Sequence, residues 1–211
     1  MDSSLIKYPR TPHLPWSPGA TSDDKVLSDV SIFRGKQVVV TAKMDGENTT
    51  LTTYNMHARS VDYAPHPSRN WLRNLHASIS YLIPEGWRIC GENLFAKHSI
   101  HYTNLTSLFQ VFSIWDASNQ ALSWKDTKEW TALFGLTLVP ILYVGFWDEK
   151  TVKALYAPVL NGDPLEGYVV RNAEKFPHSL FHQNVAKYVR FNHVQTDAHW
   201  MKAKIVRNLT R

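Results

Sequence analysis

The sequence contains a series of short segments that are rich in β-branched and aromatic residues and bounded by turn-forming residues. Such segments, roughly four to eight residues long, are typical of β-strands. The first two, QVVVTAK and NTTLTTY, lie between Gln37 and Tyr54 and are separated only by Met44-Asp-Gly-Glu, so we predict two strands joined by a tight connection. The other predicted strands are 87–93, 108–116, 136–144, 166–171 and 184–191.

Helical periodicity is clear in residues 67–83, where large apolar residues recur at spacings of three and four. The periodic residues are Trp71, Leu75, Ile79 and Leu82. Pro67 suits the first turn of this helix and Pro84 ends it. Two further helices are predicted at 124–134 and 148–157. The absence of a G-x-G-x-x-G after a strand argues against a dinucleotide-binding α/β fold, and the order of elements predicts an α+β fold of mainly antiparallel sheets flanked by helices.

The length and composition allow one folded unit with a sizeable core, since 44% of the 211 residues are hydrophobic. Residues 1–22 are rich in proline and serine and lack periodicity, so we expect an extended arm that runs over the surface of a single domain formed by 23–211. A formal net charge of +5 with 12% aromatic residues suits a surface that binds phosphates and stacks on bases.

Cysteine usage and hydropathy bear on the compartment. Cys90 is the only cysteine and cannot form an internal disulfide, and the sequence has neither a secretion signal nor an 18-residue apolar run. We therefore expect a monomeric cytoplasmic protein, from a bacterial or phage-infected cell, that has no membrane partner. The ten histidines include the pairs His98 with His101 and His193 with His199, but with one cysteine and no H-E-x-x-H we do not expect a structural zinc site.

Lys43 stands at the end of the first predicted strand, directly before the turn-forming residues Asp45-Gly46. Alone, a strand-end lysine beside a turn is an ordinary surface feature. Four more elements follow in the order HARS (57–60), GENLF (91–95), EGYVVR (166–171) and VAKYVR (185–190). Several lie at strand ends or within strands, where side chains can converge on one groove. The set of five therefore predicts a shared site.

The order and spacing of these elements resemble the covalent nucleotidyltransferases, which are the ATP-dependent RNA and DNA ligases and the messenger-RNA capping enzymes. The stretch from Lys43 to Asn48, KMDGEN, is similar to the RNA ligase 2-like and editing-ligase branch, and the tail HVQTDAHW (193–200) is similar to small bacterial and phage proteins described as RNA ligases. The resemblance implies a nucleotidyltransferase (ATP-grasp-like) domain. Few residues follow Arg190, so we expect no OB-fold domain.

The resemblance implies that Lys43 attacks the α-phosphate of ATP and carries AMP as a phosphoramidate. AMP would then pass to a 5′-phosphate, and a 3′-hydroxyl would attack with loss of AMP. A free lysine with a pKa of about 10.4 is almost wholly protonated at neutral pH, so this mechanism requires a lower pKa. Partial burial, nearby cations such as Lys187 and a bound metal ion would all lower it.

The resemblance also assigns roles to the other charged residues, each of which could instead be an ordinary surface residue. Glu92 would accept a hydrogen bond from a ribose hydroxyl, and Arg59 would hold a phosphate. Glu166 would bind Mg²⁺ or Mn²⁺, whose preferred ligands are oxygens. Lys187 would neutralise charge on the α-phosphate as pyrophosphate leaves.

Three further residues are candidates by the same resemblance. Phe112, chosen over Phe109, would stack on adenine, although a strand phenylalanine is usually part of the core. Asn48 would contact the RNA end or the nucleotide, or else bond its own turn. In many relatives a second lysine stands where this chain has Val189, so either Arg190 replaces it or the contact is missing.

We therefore expect an ATP-dependent RNA ligase acting in RNA repair on ends that carry a 3′-hydroxyl and a 5′-phosphate, with an accessory end-processing protein as a further partner. A minimal DNA ligase is the first alternative, and a guanylyltransferase is a weaker one. A catalytically silent nucleic-acid-binding module is the alternative from another class. The presence of all five charged residues disfavours that last alternative; they are Lys43, Arg59, Glu92, Glu166 and Lys187.

Overall fold

The computed structural model describes residues 5–61, 65–192 and 204–211. Its strands, in chain order, are β1 (Gln37–Lys43), β2 (Glu47–Leu51), β3 (Met56–Ala58), β4 (Arg88–Asn93), β5 (Phe109–Trp115), β6 (Gln120–Ala121), β7 (Thr137–Leu138), β8 (Ile141–Phe146), β9 (Val159–Leu160), β10 (Asp163–Pro164), β11 (Gly167–Asn172), β12 (Phe176–Pro177) and β13 (Val185–Val189). The tail 193–200, including His193 and His199, lies outside the described residues.

The strands form two main sheets. Sheet A is antiparallel with the order β13-β11-β1-β8, and sheet B has the order β12-β6-β5-β4-β2-β3, with β7 parallel to β5. β9 and β10 form a separate antiparallel ribbon. Strand β1 lies inside sheet A, and its Val38, Val39 and Val40 are wholly buried. The α+β class with mainly antiparallel sheets is therefore confirmed, and the described residues form no closed barrel.

The predicted strands β1 and β2 are joined by a short connection, as expected, and they belong to different sheets. One strand prediction needs correction. The segment predicted as one strand, 136–144, is divided into β7 and β8, which belong to sheets B and A respectively. Pro140 lies at the division and has no N–H to donate to a ladder, which explains the break. Strands β3, β6, β9, β10 and β12 were not predicted, because segments of two or three residues carry too little periodicity.

The helices lie close to their predicted positions. α1 (Asn70–Ile79) is flanked by 3-10 turns at Pro67–Arg69 and Ser80–Leu82, so the predicted segment is helical but not α-helical throughout. α2 (Trp124–Leu133) is capped by Ser123, whose side chain accepts a hydrogen bond from the Asp126 backbone N–H. α3 (Glu149–Ala154) is capped in the same way by Asp148. No helix among the described residues is long and apolar enough to cross a membrane.

Part of the predicted arm lies in the core. The Lys187 N–H in β13 donates to the Pro12 carbonyl at 2.9 Å, and the Leu14 N–H donates to the Lys187 carbonyl at 2.7 Å. Leu14 is wholly buried, in a cluster with residues of sheet A. This stretch is extended, as expected, but it covers the edge of β13 instead of running over the surface, because the open edge of the sheet offers backbone partners. The division of the chain at residue 22 remains a prediction.

Candidate active site

Lys43 lies where the chain leaves sheet A and enters sheet B. Its Nζ donates a hydrogen bond to Glu166 Oε2 at 2.7 Å, and Glu166 is only 5% exposed. Lys43 pairs in register with Gly167, the residue that follows Glu166. A Cβ on Gly167 would come within 2.0 Å of the Tyr188 carbonyl oxygen, so the close packing of β11 on β13 requires glycine here. The pairing of β1 with β11 therefore brings the lysine and the carboxylate together.

The turn after Lys43 is held by hydrogen bonds on both sides. Asp45 Oδ2 accepts from the backbone N–H groups of Ser99 and Ile100 at 2.8 and 2.6 Å. The Gly46 N–H donates to Glu92 Oε1 at 3.2 Å. A Cβ on Gly46 would meet the Asn93 carbonyl oxygen at 2.6 Å, so only glycine fits here. These hydrogen bonds fix the conformation of the turn, and the turn links Lys43 on β1 to Glu92 on β4.

Asn48 and Arg59 extend the site along sheet B. Asn48 pairs in register with Glu92 across β2 and β4, and the Arg59 N–H donates to the Asn48 carbonyl at 2.9 Å. The side-chain oxygen of Asn48 is buried and has no hydrogen-bond partner among the described parts of the chain. A buried amide oxygen without a partner is costly, which is consistent with a ligand as its partner.

These residues surround a cavity of about 320 Å³ between the two sheets. Six of the eight predicted site residues line it: Lys43, Asn48, Arg59, Glu92, Phe112 and Lys187. Phe112 shares the apolar end of the cavity with Val139 and Val169, whereas Phe109 is wholly buried in the core behind it. One cavity therefore joins an apolar end to a cluster of cations and carboxylates.

The remaining two predicted residues do not line the cavity. Glu166 reaches the site through its contact with Lys43. The Arg190 backbone N–H donates to the Glu166 carbonyl at 3.0 Å, while its guanidinium donates to the Asn192 carbonyl at 3.4 Å. The structure therefore does not bring the Arg190 side chain to the other candidates. Its role, like those of the other site residues, remains a prediction.

The expected fall in the pKa of Lys43 is not what the structure gives. Burial lowers that pKa, but Glu166, Glu92 and Asp45 outweigh it, and the pKa lies above its usual value. Lys187 is the lysine whose pKa is lowered, first by burial and then by the positive charge of Lys43. The expectation considered cations and burial but not the carboxylates around Lys43.

Both glutamates of the site hold a proton more readily than usual. Burial raises the pKa of Glu92 to about 8, and the negative charges of Glu166 and Asp45 add to the rise. Burial also raises the pKa of Glu166, although the Lys43 ammonium opposes it. The site therefore concentrates carboxylates whose mutual repulsion a cation would relieve.

Sequence reasoning missed several residues that line the cavity. Tyr8, Arg10 and Asp24 belong to or follow the predicted arm, where prolines and missing periodicity give no signal of a site. Asp24 Oδ1 lies 3.9 Å from Lys187 Nζ.

Arg171 also lines the cavity. It is the last residue of the EGYVVR element, so its position in the sequence could have indicated a role in the site. It is buried, burial lowers its pKa to about 10, and its Nη2 donates to the Leu122 carbonyl.

A dedicated protein-only metal centre is not evident. Among the described ranges 5–61, 65–192 and 204–211, no three or more His, Cys, Asp or Glu residues are grouped so as to hold a metal ion. Of the histidine pairs, His101 contacts the Arg207 carbonyl through Nε2 at 3.2 Å. A metal ion at this site would therefore need oxygens from its substrate or from water as additional ligands.

Comparison with known proteins gives matches to RNA ligases. A Naegleria gruberi RNA ligase variant with ATP and Mn superposes with a TM-score of 0.56 at 17% identity, covering 76% of this chain and 52% of that chain. An archaeal ATP-dependent RNA ligase gives a TM-score of 0.58 at 16% identity over 88% and 48% of the two chains. The chain thus spans about half the length of these structures, and at such identities the likeness shows the fold.

The sequence itself was compared with curated proteins and with protein families. No curated protein matches it. The RNA ligase family matches residues 36–189, which include every candidate site residue except Arg190. The match covers well over half of the 211 residues, from the start of β1 to the end of β13. The chain therefore belongs to the RNA ligase family.

Proposed function

We propose that the protein is an ATP-dependent RNA ligase that joins a 3′-hydroxyl to a 5′-phosphate through AMP bound covalently to Lys43. The observation that carries this proposal is the single cavity that Lys43, Arg59, Glu92 and Lys187 line, with Glu166 in contact with Lys43. A nucleophile, a proton acceptor and phosphate-binding cations are the parts that nucleotidyl transfer requires.

The first step would be attack by the Lys43 amine on the α-phosphorus of ATP. An N–P bond forms while the bond to the pyrophosphate oxygen breaks. The ammonium must lose a proton before the attack, and Glu166 Oε2, 2.7 Å away with a raised pKa, is placed to accept it. Lys187 would offset the negative charge that develops as pyrophosphate leaves. AMP would then be transferred to the 5′-phosphate of RNA, and attack by the 3′-hydroxyl would release it.

The nucleoside would occupy the apolar end of the cavity. Phe112 offers an aromatic face for adenine and Val169 lies at the same end. Glu92 borders the cavity from β4 and could accept a hydrogen bond from a ribose hydroxyl. This arrangement sets the base at one end and the phosphates beside Lys43, Arg59 and Lys187.

A divalent ion, Mg²⁺ or Mn²⁺, suits this donor set. Burial is the main cause of the raised pKa of Glu92, and the negative charges of Glu166 and Asp45 raise it further, so the carboxylates repel one another and a cation would relieve that repulsion. Glu166 would hold the ion, and phosphate and water oxygens would complete its coordination. The ion would supply positive charge to the phosphates during transfer. The Naegleria relative was solved with ATP and Mn, which supports this choice of cofactors.

The test is the covalent intermediate. Protein freed of nucleotide is incubated with ATP and Mg²⁺ or Mn²⁺, and its intact mass and peptides are measured. We expect one AMP on Lys43, stable to alkali and released by acid, and none in Lys43→Met. Lys128→Met, which removes an exposed lysine of α2, is the matched control and should label normally. An unlabelled wild-type protein, or equal labelling of Lys43→Met, would refute the proposal; preferential transfer of GMP from GTP would favour a guanylyltransferase.

A further inference from the structure

The stretch 8–19, here called the amino-terminal segment, is fixed beside the cavity. Besides the two hydrogen bonds that flank Lys187, the Gly19 N–H donates to the Val189 carbonyl at 2.9 Å. The Ser17 hydroxyl accepts from the Val189 N–H, also at 2.9 Å. These contacts hold the segment along β13. The four residues just before Pro12 therefore line the cavity: Tyr8, Pro9, Arg10 and Thr11.

The ring of Tyr8 is positioned by aromatic neighbours. Its centroid lies 5.2 Å from that of Phe112 and 5.3 Å from that of Phe181, and both pairs are edge-to-face. Trp115 makes a third edge-to-face contact at 6.4 Å. Edge-to-face packing is one of the favoured arrangements of aromatic pairs. Tyr8 therefore packs directly against the residue proposed to stack on adenine.

The Tyr8 hydroxyl has no hydrogen-bond partner among the residues that the structure describes. A tyrosine in a largely apolar setting usually finds a partner for its O–H. Burial, followed by the nearby Cys90 thiol, raises the pKa of the phenol, so the hydroxyl keeps its proton and can both donate and accept. Arg171 and Glu92 are close enough to influence it as well. The hydroxyl therefore lies at the nucleoside end of the cavity, where it is available to a bound ligand.

The amino-terminal segment runs from the apolar end of the cavity toward Lys187. Tyr8 lies by Phe112 at the apolar end, whereas Arg10 lies close enough to Lys187 for its positive charge to lower the pKa of that lysine. Two residues further on, Pro12 binds the Lys187 backbone. The segment therefore follows the path from the proposed nucleoside end to the proposed phosphate end.

We propose that Tyr8 is a nucleoside-binding residue of the ATP site. Its ring closes the apolar end of the cavity beside Phe112, and its hydroxyl hydrogen-bonds the base or ribose of the bound nucleotide. The inference rests on the proposed function, since it assumes that ATP occupies this cavity. It gives the amino-terminal segment, which lies outside the stretch matched to the family, a direct part in substrate binding.

The test is Tyr8→Phe, which removes the hydroxyl and keeps the ring. The rate of Lys43–AMP formation is measured against ATP concentration, together with thermal unfolding. The loss of one net hydrogen bond should raise the KM for ATP by about fivefold, with kcat and the melting temperature nearly unchanged. Tyr81→Phe is the matched control, since that side chain is 76% exposed, and it should behave as wild type.

Two analogues identify the contacted group. Purine riboside triphosphate lacks the exocyclic amine of adenine, and 2′-deoxy-ATP lacks a ribose hydroxyl. The analogue without the contacted group should no longer distinguish Tyr8→Phe from wild type. Equal KM values of the two proteins for ATP, or a lower melting temperature without a change in KM, would overturn the inference. A wild-type protein that forms no AMP adduct would instead refute the proposed function, so the two failures are distinct.

Discussion

The two lysines of the cavity lie in opposite electrostatic surroundings. Lys43 is 2.7 Å from the buried Glu166 carboxylate, and the neighbouring carboxylates raise its pKa above the usual value. Lys187 is 3.9 Å from Asp24, which is itself 21% exposed in its side chain, and its pKa is lowered. Both lysines are partly buried, so burial alone does not separate them. The difference lies in how closely a carboxylate approaches each ammonium.

The proposed chemistry requires Lys43 to lose a proton and Lys187 to stay charged. Before nucleotide binds, Lys43 holds its proton more firmly than an ordinary lysine does, whereas Lys187 holds its proton less firmly. Reaction at Lys43 therefore depends on a change at Glu166, either acceptance of the proton or a shift toward another cation. Glu166 thus acts on both the protonation and the position of the proposed nucleophile.

The largest effect is expected from Glu166→Gln. The amide keeps the shape but cannot accept the Lys43 proton, so Lys43–AMP formation should fall by about 10²–10³. Without the negative charge, burial should dominate and the pKa of Lys43 should fall, which amine-specific labelling at several pH values can measure. Glu174→Gln, at an exposed position, is the control. Normal adenylylation, or a Lys43 reactivity profile like that of wild type, would remove Glu166 from the account.

A smaller but still large loss is expected from Lys187→Met. The variant loses the charge that would stabilise the leaving pyrophosphate, so adenylylation should drop by about 10². Stability should change little, because the Asp24 contact is long, at 3.9 Å, and does not offset the cost of burying the ammonium, as the lowered pKa of Lys187 indicates. Rapid-quench kinetics and urea unfolding measure the two quantities, with Lys175→Met as an exposed control. A collapse of folding with residual activity intact would make Lys187 structural.

The smallest effect concerns stability at Glu92. Its pKa is about 8 in the folded protein against an ordinary 4.5, so the folded state binds this proton more tightly than the unfolded state between those values. The contribution of this group to stability therefore falls as the pH rises from 4.5 to 8. Glu92→Gln should make the unfolding free energy less dependent on pH in this window, as urea titrations at pH 5 and 8 would show. An unchanged slope would place Glu92 in a more solvated setting.

Much of the fold could be predicted because it depends on local pattern. The run Val38–Val40 predicts β1, and the spacing of apolar residues in 67–83 predicts α1 with its flanking turns. The pairing of strands could not be predicted in the same way. β1 and β2 are adjacent in sequence and look like a hairpin, but their partners β11 and β4 come from distant parts of the chain. Such contacts have no local signature.

The site was predictable only where its residues lie in recognisable elements. Lys43, Glu92 and Lys187 lie within strands whose pairing brings them to one cavity, so the elements were sufficient to find them. Tyr8 and Asp24 reach the same cavity through backbone contacts of a proline-rich segment, which periodicity does not reveal. The direction of the pKa change at Lys43 was also missed, because it depends on a 2.7 Å contact between residues distant in sequence.

Transfer of AMP from the isolated Lys43–AMP protein tests the central claim most directly. The labelled protein is freed of ATP and mixed with nicked substrates that differ only in the sugar on each side of the break. We expect AMP to move to the 5′-phosphate and the break to be sealed when the 3′-hydroxyl end is RNA, since the 2′-hydroxyl lets a protein distinguish RNA from DNA. Equal sealing of all-DNA substrates would contradict the RNA assignment, and retention of AMP on Lys43 with every substrate would contradict ligation itself.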